Sequence, residues 1–165
     1  QKIALELGLD FFSTPFDNTA VDFLEKMNVP VHKVASFEIV DLPLIKKIAQ
    51  TRKPIIMSTG MATESEIKDA VDTARQAGNS QIALLKCTSA YPAPPESMNL
   101  KTISDMAEKF KVVSGLSDHT LGITVPVAAV DLGASIVEKH FTFSRSAPGP
   151  DSAFSIEPQE FKTMV

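Results

Sequence analysis

Six short apolar runs recur along the chain, and each ends in small polar or titratable residues. The runs are rich in Val, Ile, Leu and Phe, and they are continuous rather than alternating, as is typical of strands covered on both faces. They are LDFFSTPF (9–16), VHKVASFE (31–38), PIIMSTGM (54–61), IALLKCTSAYP (82–92), VVSGLSDHT (112–120) and SIVEKHFT (135–142). We therefore predict six strands with polar chemistry at their carboxyl ends.

Segments with helical periodicity separate these runs. They cover residues 17–27, 41–50, 63–78, 99–110 and 122–133. The third segment begins with Thr63 and Glu66 at the spacing of a capping box and ends at Gly78. Strands that alternate with helices favour parallel pairing with right-handed crossovers.

Two architectures use this repeating unit, the doubly wound sheet and the closed barrel. A dinucleotide-binding sheet needs a glycine-rich turn, and no G-x-G-x-x-G occurs here. Because every run ends in polar residues, the pattern favours a barrel, whose site is assembled from many strand ends. We predict an α/β fold, an incomplete (β/α)8 TIM barrel with about strands 3 to 8 over residues 1–165. Both ends look cut, since residues 1–8 read as the tail of a helix stopped at Gly8.

Composition narrows the functional classes. The chain has 165 residues, 44% of them apolar, and a formal net charge of −4. This balance argues against nucleic acid or an anionic membrane as the main partner, and no apolar run approaches the ~20 residues that span a bilayer. The single cysteine, Cys87, forms no internal disulfide and is predicted to be a buried small hydrophobe, so the cytoplasm is the expected compartment.

The predicted strand ends carry hydroxyls, lysines, acids and histidines. Hydroxyls and a lysine that converge with backbone N–H groups make a cradle suited to phosphate or carboxylate, although a single Ser or Thr more often caps a helix. The set comprises Ser13, Thr14, Lys33, Ser36, Glu38, Ser58, Thr59, Lys86, Thr88, Ser89, Tyr91, Ser117, Asp118, His119, Glu138, Lys139 and His140.

Two histidines, His119 and His140, end the last two runs. On neighbouring strands, their imidazoles could ligate a divalent cation or be hydrogen-bonded structure, and the residues alone leave both open. Two protein ligands would leave positions for water and substrate, as in a catalytic Lewis acid. His32 lies early in its run and is expected to serve packing or solvent.

Other polar residues allow more than one interpretation. Lys86 and Lys139 could form a Schiff base, bind phosphate or fill an ion pair. The proline-rich loop YPAPPES (91–97) would hold Tyr91 over the mouth of the barrel. In the loop 144–155, Arg145 and Asp151 could clamp a polar substrate, or the loop could be an ordinary exposed turn.

Seven strings in register resemble one family. FFSTPFD, VHKVASFEIVDLPLI, KPIIMSTGM, LLKCTSAYPAP, GLSDHTLG, VEKHFT and PGPD, in this order, resemble the sialic acid synthase family. Its members condense phosphoenolpyruvate with an N-acetylated amino sugar to form nonulosonic acids. The resemblance implies a (β/α)8 barrel, here lacking the first strands, followed by an antifreeze-like domain absent from this chain. It also implies a homodimer in the full-length protein.

The resemblance implies roles for individual residues. Phosphoenolpyruvate would be held by the residues matching Thr14, Lys33, Ser36, Ser58 and Ser117. The residues matching His119 and His140 would bind a divalent metal, typically Mn2+, and would be catalytic.

The sugar-binding positions of the family match Tyr91 and Asp151, with Ser89 at a further substrate position. Glu38 falls on an acidic position near phosphoenolpyruvate and is predicted to handle a proton or orient a group. Where sialic acid synthases proper have Asn, this chain has Ser89, and KCTSAYPAP and GPDSAFSIEPQEF are more similar to the pseudaminic acid synthase branch.

Alternatives remain at this point. N-acetylneuraminate or legionaminic acid synthesis is the nearest one. A Schiff-base aldolase or lyase, and a truncated scaffold without activity, are alternatives of other classes.

Overall fold

The computed structural model describes residues 1–165, in which helices and strands alternate. The helices are α1 (Lys2–Glu6), α2 (Asn18–Lys26), α3 (Leu42–Gln50), α4 (Glu64–Gln76), α5 (Thr102–Phe110), α6 (Thr124–Asp131) and α7 (Pro158–Met164). The strands are β1 (His32–Val34), β2 (Ile55–Ser58), β3 (Ile82–Cys87), β4 (Val113–Asp118) and β5 (Val137–Lys139). Single turns of 3-10 helix lie at Glu38–Val40, Pro95–Ser97 and Ser152–Phe154.

The chain divides into two compact units. The first comprises Gln1–Ser58 and Ala62–Ala83, and the second comprises Thr59–Met61 and Leu84–Val165. Each unit combines strands with the helices that follow them in the chain.

Strand neighbours follow chain order. In the first unit β1 pairs with β2 in parallel, with Lys33 opposite Ile56. In the second unit β4 pairs with β5 in parallel, with Asp118 opposite Lys139. Parallel strands in chain order with helices between them are the arrangement of a (β/α)8 barrel, so the predicted fold class, an incomplete barrel, is confirmed.

Helices α3 and α4 pack in the first unit. Helix α4 begins with the predicted capping box, in which the Thr63 hydroxyl accepts from the N–H of Glu66 and the Glu66 carboxylate accepts from the N–H of Thr63. The apolar stripes of the two helices are buried, with Ile45 and Ile48 on α3 and Val71 on α4. This core supports the two strands of the unit.

The second unit has its own apolar core. It includes Met98, Ile103, Leu116, Val125 and Ala129. These residues come from β4, from the helices that flank it in the chain and from the loop before α5. Burial of this cluster fixes β4, whose carboxyl end carries polar residues.

The first predicted strand is wrong. Residues 9–16 form no strand, and Phe12 and Phe16 are exposed. One backbone hydrogen bond, from the Lys33 N–H to the Ser13 carbonyl at 3.3 Å, joins this segment to β1. Pro15 lacks an N–H donor, so a regular ladder is interrupted there. Gly8 does follow α1 with a φ of 71°, as the predicted helix stop requires.

The helices are all too short or too polar to cross a membrane.

Candidate functional site

Two histidines stand side by side in the second unit. Because Asp118 and Lys139 are register partners and the last residues of β4 and β5, His119 and His140 directly follow the paired ends. Side chains alternate along strands, so both imidazoles lie on the face opposite the Asp118 and Lys139 side chains. Their ring centroids are 5.3 Å apart. The predicted proximity of the two rings is therefore confirmed.

This spacing fits a shared cation. A metal lies about 2.1 Å from an imidazole nitrogen and about 3.2 Å from the ring centre, so two rings at about 90 to 110° around one ion have centres about 4.5 to 5.2 Å apart. The observed 5.3 Å lies just above that range and corresponds to an angle of about 112° at the ion. No group of three or more His, Cys, Asp or Glu side chains is arranged to hold a metal. The candidate cation ligands at this site are therefore the imidazoles of His119 and His140.

Each ring is oriented through its Nδ1. In His119 this atom lies 2.9 Å from the carbonyl oxygen of Thr88, and in His140 it lies 3.5 Å from a carboxylate oxygen of Asp151. Metal-binding histidines commonly hold a carbonyl or carboxylate on the nitrogen that does not bind the metal. The atom suited to a cation is thus Nε2 of each ring.

The two imidazoles differ in pKa. Burial lowers the pKa of His119, but the hydrogen bonds from its ring to the Cys87 side chain and the Thr88 carbonyl, with the charge of Asp118, outweigh it and raise the pKa. Burial and the neighbouring His119 hold the pKa of His140 below its usual value, against the opposing charges of Asp151 and Glu138. A low pKa keeps the His140 ring neutral, which is the form that binds a metal.

An aromatic cluster surrounds the histidines. The Tyr91 ring is tilted over His119 with centroids 4.1 Å apart, and it meets His140 edge-on at 6.1 Å. Phe154 packs against both Tyr91, at 5.5 Å, and His140, at 5.1 Å. Burial raises the pKa of the Tyr91 phenol, with smaller contributions from Cys87 and Asp151. The phenol therefore stays protonated and can donate a hydrogen bond.

Ser117 and Glu138 lie on the same face of β4 and β5 as the two histidines. The Ser117 hydroxyl donates to a carboxylate oxygen of Glu138 at 2.7 Å, in keeping with their register. The hydroxyl of Ser89 is buried and has no hydrogen-bond partner. A buried polar atom without a partner is costly, and such atoms are frequent where a ligand supplies the missing contact.

The first unit holds the other predicted phosphoenolpyruvate residues. The buried Lys33 donates from Nζ to the Ser58 hydroxyl at 2.8 Å and to the Val34 carbonyl at 3.0 Å. Thr14 follows Ser13, whose carbonyl accepts from the Lys33 N–H. Ser36 lies two residues after β1. An ammonium beside hydroxyls is the donor set that binds a phosphate or a carboxylate.

Glu38 begins the 3-10 turn after β1 in the first unit. Its Oε2 is buried and has no hydrogen-bond partner. A carboxylate oxygen left in this state can accept a proton or orient a water molecule when a ligand is bound.

Arg145, one of the two residues considered for a substrate clamp, is engaged by groups of its own chain. Its guanidinium donates to the Glu160 carboxylate and to the Ser155 carbonyl, and its N–H donates to Glu157. These contacts are local to the loop and the start of α7. Asp151 and Phe154 extend from this loop toward His140.

The lysines considered for Schiff-base chemistry are engaged. Lys139 forms a buried ion pair with Asp118, and Lys86 donates to the Cys87 carbonyl and the Thr88 hydroxyl. A Schiff-base lysine must present its amine to the substrate, and the Asp118 carboxylate occupies that of Lys139. Cys87 is buried and lies outside any internal disulfide, as predicted.

Sequence reasoning assigned no role to Phe154, which contacts two rings of the cluster. Little in the sequence indicated this contact, since Phe154 lies in a loop rich in Ser, Pro and Gly. The pairing of Ser117 with Glu138 also went unpredicted, although the equal positions of GLSDH and VEKH before a histidine offered a way to find it.

Comparisons with known proteins identify the family. Pseudaminic acid synthase of Helicobacter pylori is 50% identical over 164 residues, which are 99% of this chain and 48% of that protein. N,N'-diacetyllegionaminic acid synthase of Legionella pneumophila is 44% identical over 168 aligned residues, 99% of this chain and 47% of that protein. The crystal structure of the spore coat polysaccharide biosynthesis protein SpsE of Bacillus subtilis has a TM-score of 0.96 at 42% identity, over 99% of this chain and 46% of that one.

The chain spans about half the length of the curated relatives it matches. The model of the NeuB family matches residues 1–165, the whole chain. The chain therefore belongs to the NeuB family, in agreement with the resemblance to sialic acid synthases in its strand-end motifs.

Proposed function

We propose that the protein condenses phosphoenolpyruvate with an N-acetylated amino sugar to form a nonulosonic acid and releases phosphate. The observation that carries this proposal is the pair of imidazoles, His119 and His140, with ring centroids 5.3 Å apart beside Tyr91 and Asp151. Relatives named as synthases of pseudaminic and legionaminic acid support the same reaction class. Pseudaminic acid synthesis is the member we favour, on the 50% identity to the Helicobacter enzyme.

The anionic substrate would be bound by hydroxyls and lysine. The Lys33 ammonium and the Ser58 hydroxyl, 2.8 Å apart, supply charged and neutral donors for phosphoenolpyruvate, with Thr14, Ser36 and Ser117 as further hydroxyls. Fixing the enol ester in one orientation removes much of the entropy cost of bringing its C3 to a carbonyl carbon.

The acceptor would be bound at the aromatic cluster. Tyr91 and Asp151 would contact the sugar, and the buried hydroxyl of Ser89 would gain the partner it lacks. His119 and His140 would hold a divalent cation, for which we propose Mn2+, and such an ion supplies Lewis-acid polarisation of a carbonyl group.

The bond changes balance as follows. C3 of phosphoenolpyruvate forms a bond to the aldehyde carbon of the open-chain sugar, whose oxygen takes up a proton. Water adds at C2 and gives one proton to a carboxylate for which we propose Glu38, which replaces the proton taken up by the sugar oxygen. Phosphate then leaves by cleavage of the C2–O bond, the hydroxyl at C2 becomes the carbonyl of the product, and the second proton of the water leaves with the phosphate. The buried Oε2 of Glu38, which has no hydrogen-bond partner, suits this role.

Mass spectrometry of the products tests the proposal. Full-length protein is incubated with phosphoenolpyruvate, Mn2+ and a panel that includes a 2,4-diacetamido-2,4,6-trideoxy hexose and N-acetylmannosamine. We expect a new acid whose mass equals that of one acceptor plus pyruvate, formed with one equivalent of phosphate. Failure of every acceptor, or pyruvate trapped on Lys86 or Lys139 by borohydride, would contradict it.

A further inference from the structure

A closed polar network lies directly behind the histidine pair in the second unit. The Lys139 ammonium donates to a carboxylate oxygen of Asp118 at 2.5 Å and to the carbonyl of Thr120 at 2.7 Å. Asp118 also accepts from the N–H of Thr120 at 2.9 Å and from its hydroxyl at 3.1 Å. The side chains of Lys139 and Asp118 are 3% and 0% exposed. We call these three residues the strand-end latch.

The residues of the latch lie next to the two histidines, both in the sequence and in the pairing of β4 with β5. Asp118 and Thr120 flank His119, and Lys139 precedes His140. Asp118 and Lys139 are the last register partners of β4 and β5. Strand ends fray, and β5 has only three residues. Without side-chain contacts, the pairing of β4 with β5 would therefore be weakest at the strand ends, where it sets the spacing of the two imidazoles.

Because this ion pair is buried, it contributes little net stability, but it constrains the positions of the residues that form it. Removing two charges from water costs several kcal/mol, and their attraction repays this only when the geometry is well defined and the remaining groups are hydrogen-bonded. Here the Asp118 carboxylate accepts from three donors and the Lys139 ammonium donates to two acceptors. Such a network has one low-energy arrangement, which fixes the backbone at residues 118–120 and 139.

We infer that Asp118 and Lys139 are positioning residues that set the separation of the His119 and His140 imidazoles for a divalent cation. This inference rests on the proposed function, since it assumes that the two rings bind the cation. The latch touches neither substrate nor cation and acts through the backbone of its neighbours.

The test measures Mn2+ dissociation constants by electron paramagnetic resonance of the free ion, together with thermal unfolding, on full-length protein. The main variant is Asp118→Asn/Lys139→Met, which removes both charges and so leaves no unpaired buried ion. We expect it to remain folded and to bind Mn2+ about 10- to 100-fold more weakly, as for other residues that orient metal ligands. The variant Lys139→Arg keeps the cation and should stay within about threefold of the original protein.

The matched control is an exposed ion pair of the same composition. Lys68 and Asp72 lie one turn apart on α4, and the variant Lys68→Met/Asp72→Asn should leave the Mn2+ affinity unchanged. His119→Ala/His140→Ala should lose Mn2+ binding altogether.

The outcomes separate the two claims. If the histidine variant loses Mn2+ and the latch variant binds it as tightly as the original protein, the latch inference is wrong and the proposed function stands. If the histidine variant retains Mn2+, both are wrong. A loss in Lys139→Arg as large as in the double variant would also overturn the inference, because a retained ion pair would then not retain affinity.

Discussion

At the scale of residues, three histidines differ through their surroundings. His32 is fully buried on β1, where its Nε2 contacts Glu25 at 2.8 Å and its Nδ1 has no partner. His119 and His140 follow strand ends and contact aromatic rings and each other. The position of each histidine within its apolar run predicted this difference. A residue early in a strand, such as His32, is enclosed, whereas a residue just beyond a strand end, such as His119 or His140, faces the site.

Replacing His119 by Ala should remove Mn2+ binding and leave thermal unfolding almost unchanged, since strand-end residues build sites rather than cores. The matched control is His32→Ala. It should lower the free energy of unfolding by about 1 to 3 kcal/mol, because Glu25 loses a buried partner. Its Mn2+ affinity should stay the same. Isothermal titration and differential scanning calorimetry distinguish the two, and a His119→Ala protein that unfolds would make that histidine structural.

The pH dependence of stability should report on Glu25. Burial favours a raised pKa, but the hydrogen bonds and charges of Lys53 and His32 outweigh it and hold the pKa of Glu25 below 4.5. The carboxylate therefore stabilises the fold above pH 4.5, and this contribution is lost as the pH falls through the lower folded pKa.

Denaturant unfolding of Glu25→Gln checks this expectation. The variant should be less stable than the original protein at pH 7, and the difference should shrink as the solution is acidified below about pH 4. A difference that stays constant from pH 7 to pH 3 would mean that the charge of Glu25 contributes nothing.

At the scale of elements, β4 and β5 require a close backbone approach. A Cβ at Gly115 would collide with the backbone carbonyl of Ile136, which accepts the Leu116 N–H at 2.8 Å. That carbonyl cannot withdraw without losing a ladder hydrogen bond. Glycine at this position thus brings together the two strands that end at the histidines.

Gly115→Ala should lower the free energy of unfolding by about 1 to 3 kcal/mol, the usual cost of overpacking. Gly149→Ala is the control, because a Cβ there meets the hydroxyl of Ser152, the end of a side chain that can rotate away. Its effect should stay within about 0.5 kcal/mol. Equal effects of the two substitutions in urea unfolding would contradict the close approach.

Helices were easier to predict than strands. Helix α4 follows from its capping box and apolar stripe, which are local properties of residues 63–78. The segment 9–16 has as many apolar residues as the run 54–61, which contains β2. Only a regular ladder with a partner makes a strand, however, and apolar content does not specify that ladder. The contact of Asp118 with Lys139 likewise depends on register, which the two runs indicate only when they are aligned on the histidine that ends each of them.

At the scale of the whole molecule, motif order predicted more than composition. The fold class followed from polar residues at successive strand ends, and the family followed from the resemblance of seven strings in register; both are confirmed. The proximity of His119 and His140 was also predictable, because neighbouring parallel strands end at one edge. Phe154 reaches His140 from a loop, and the path of that loop depends on tertiary contacts such as those of Arg145 with Glu157 and Glu160.

The most direct test of the account is phosphate release from phosphoenolpyruvate by the full-length protein before and after removal of divalent cations. We expect release only when an acetamido sugar and Mn2+ are both present, with activity lost after treatment with EDTA and restored by Mn2+. Equal release from the chelated protein would contradict a cation site at His119 and His140.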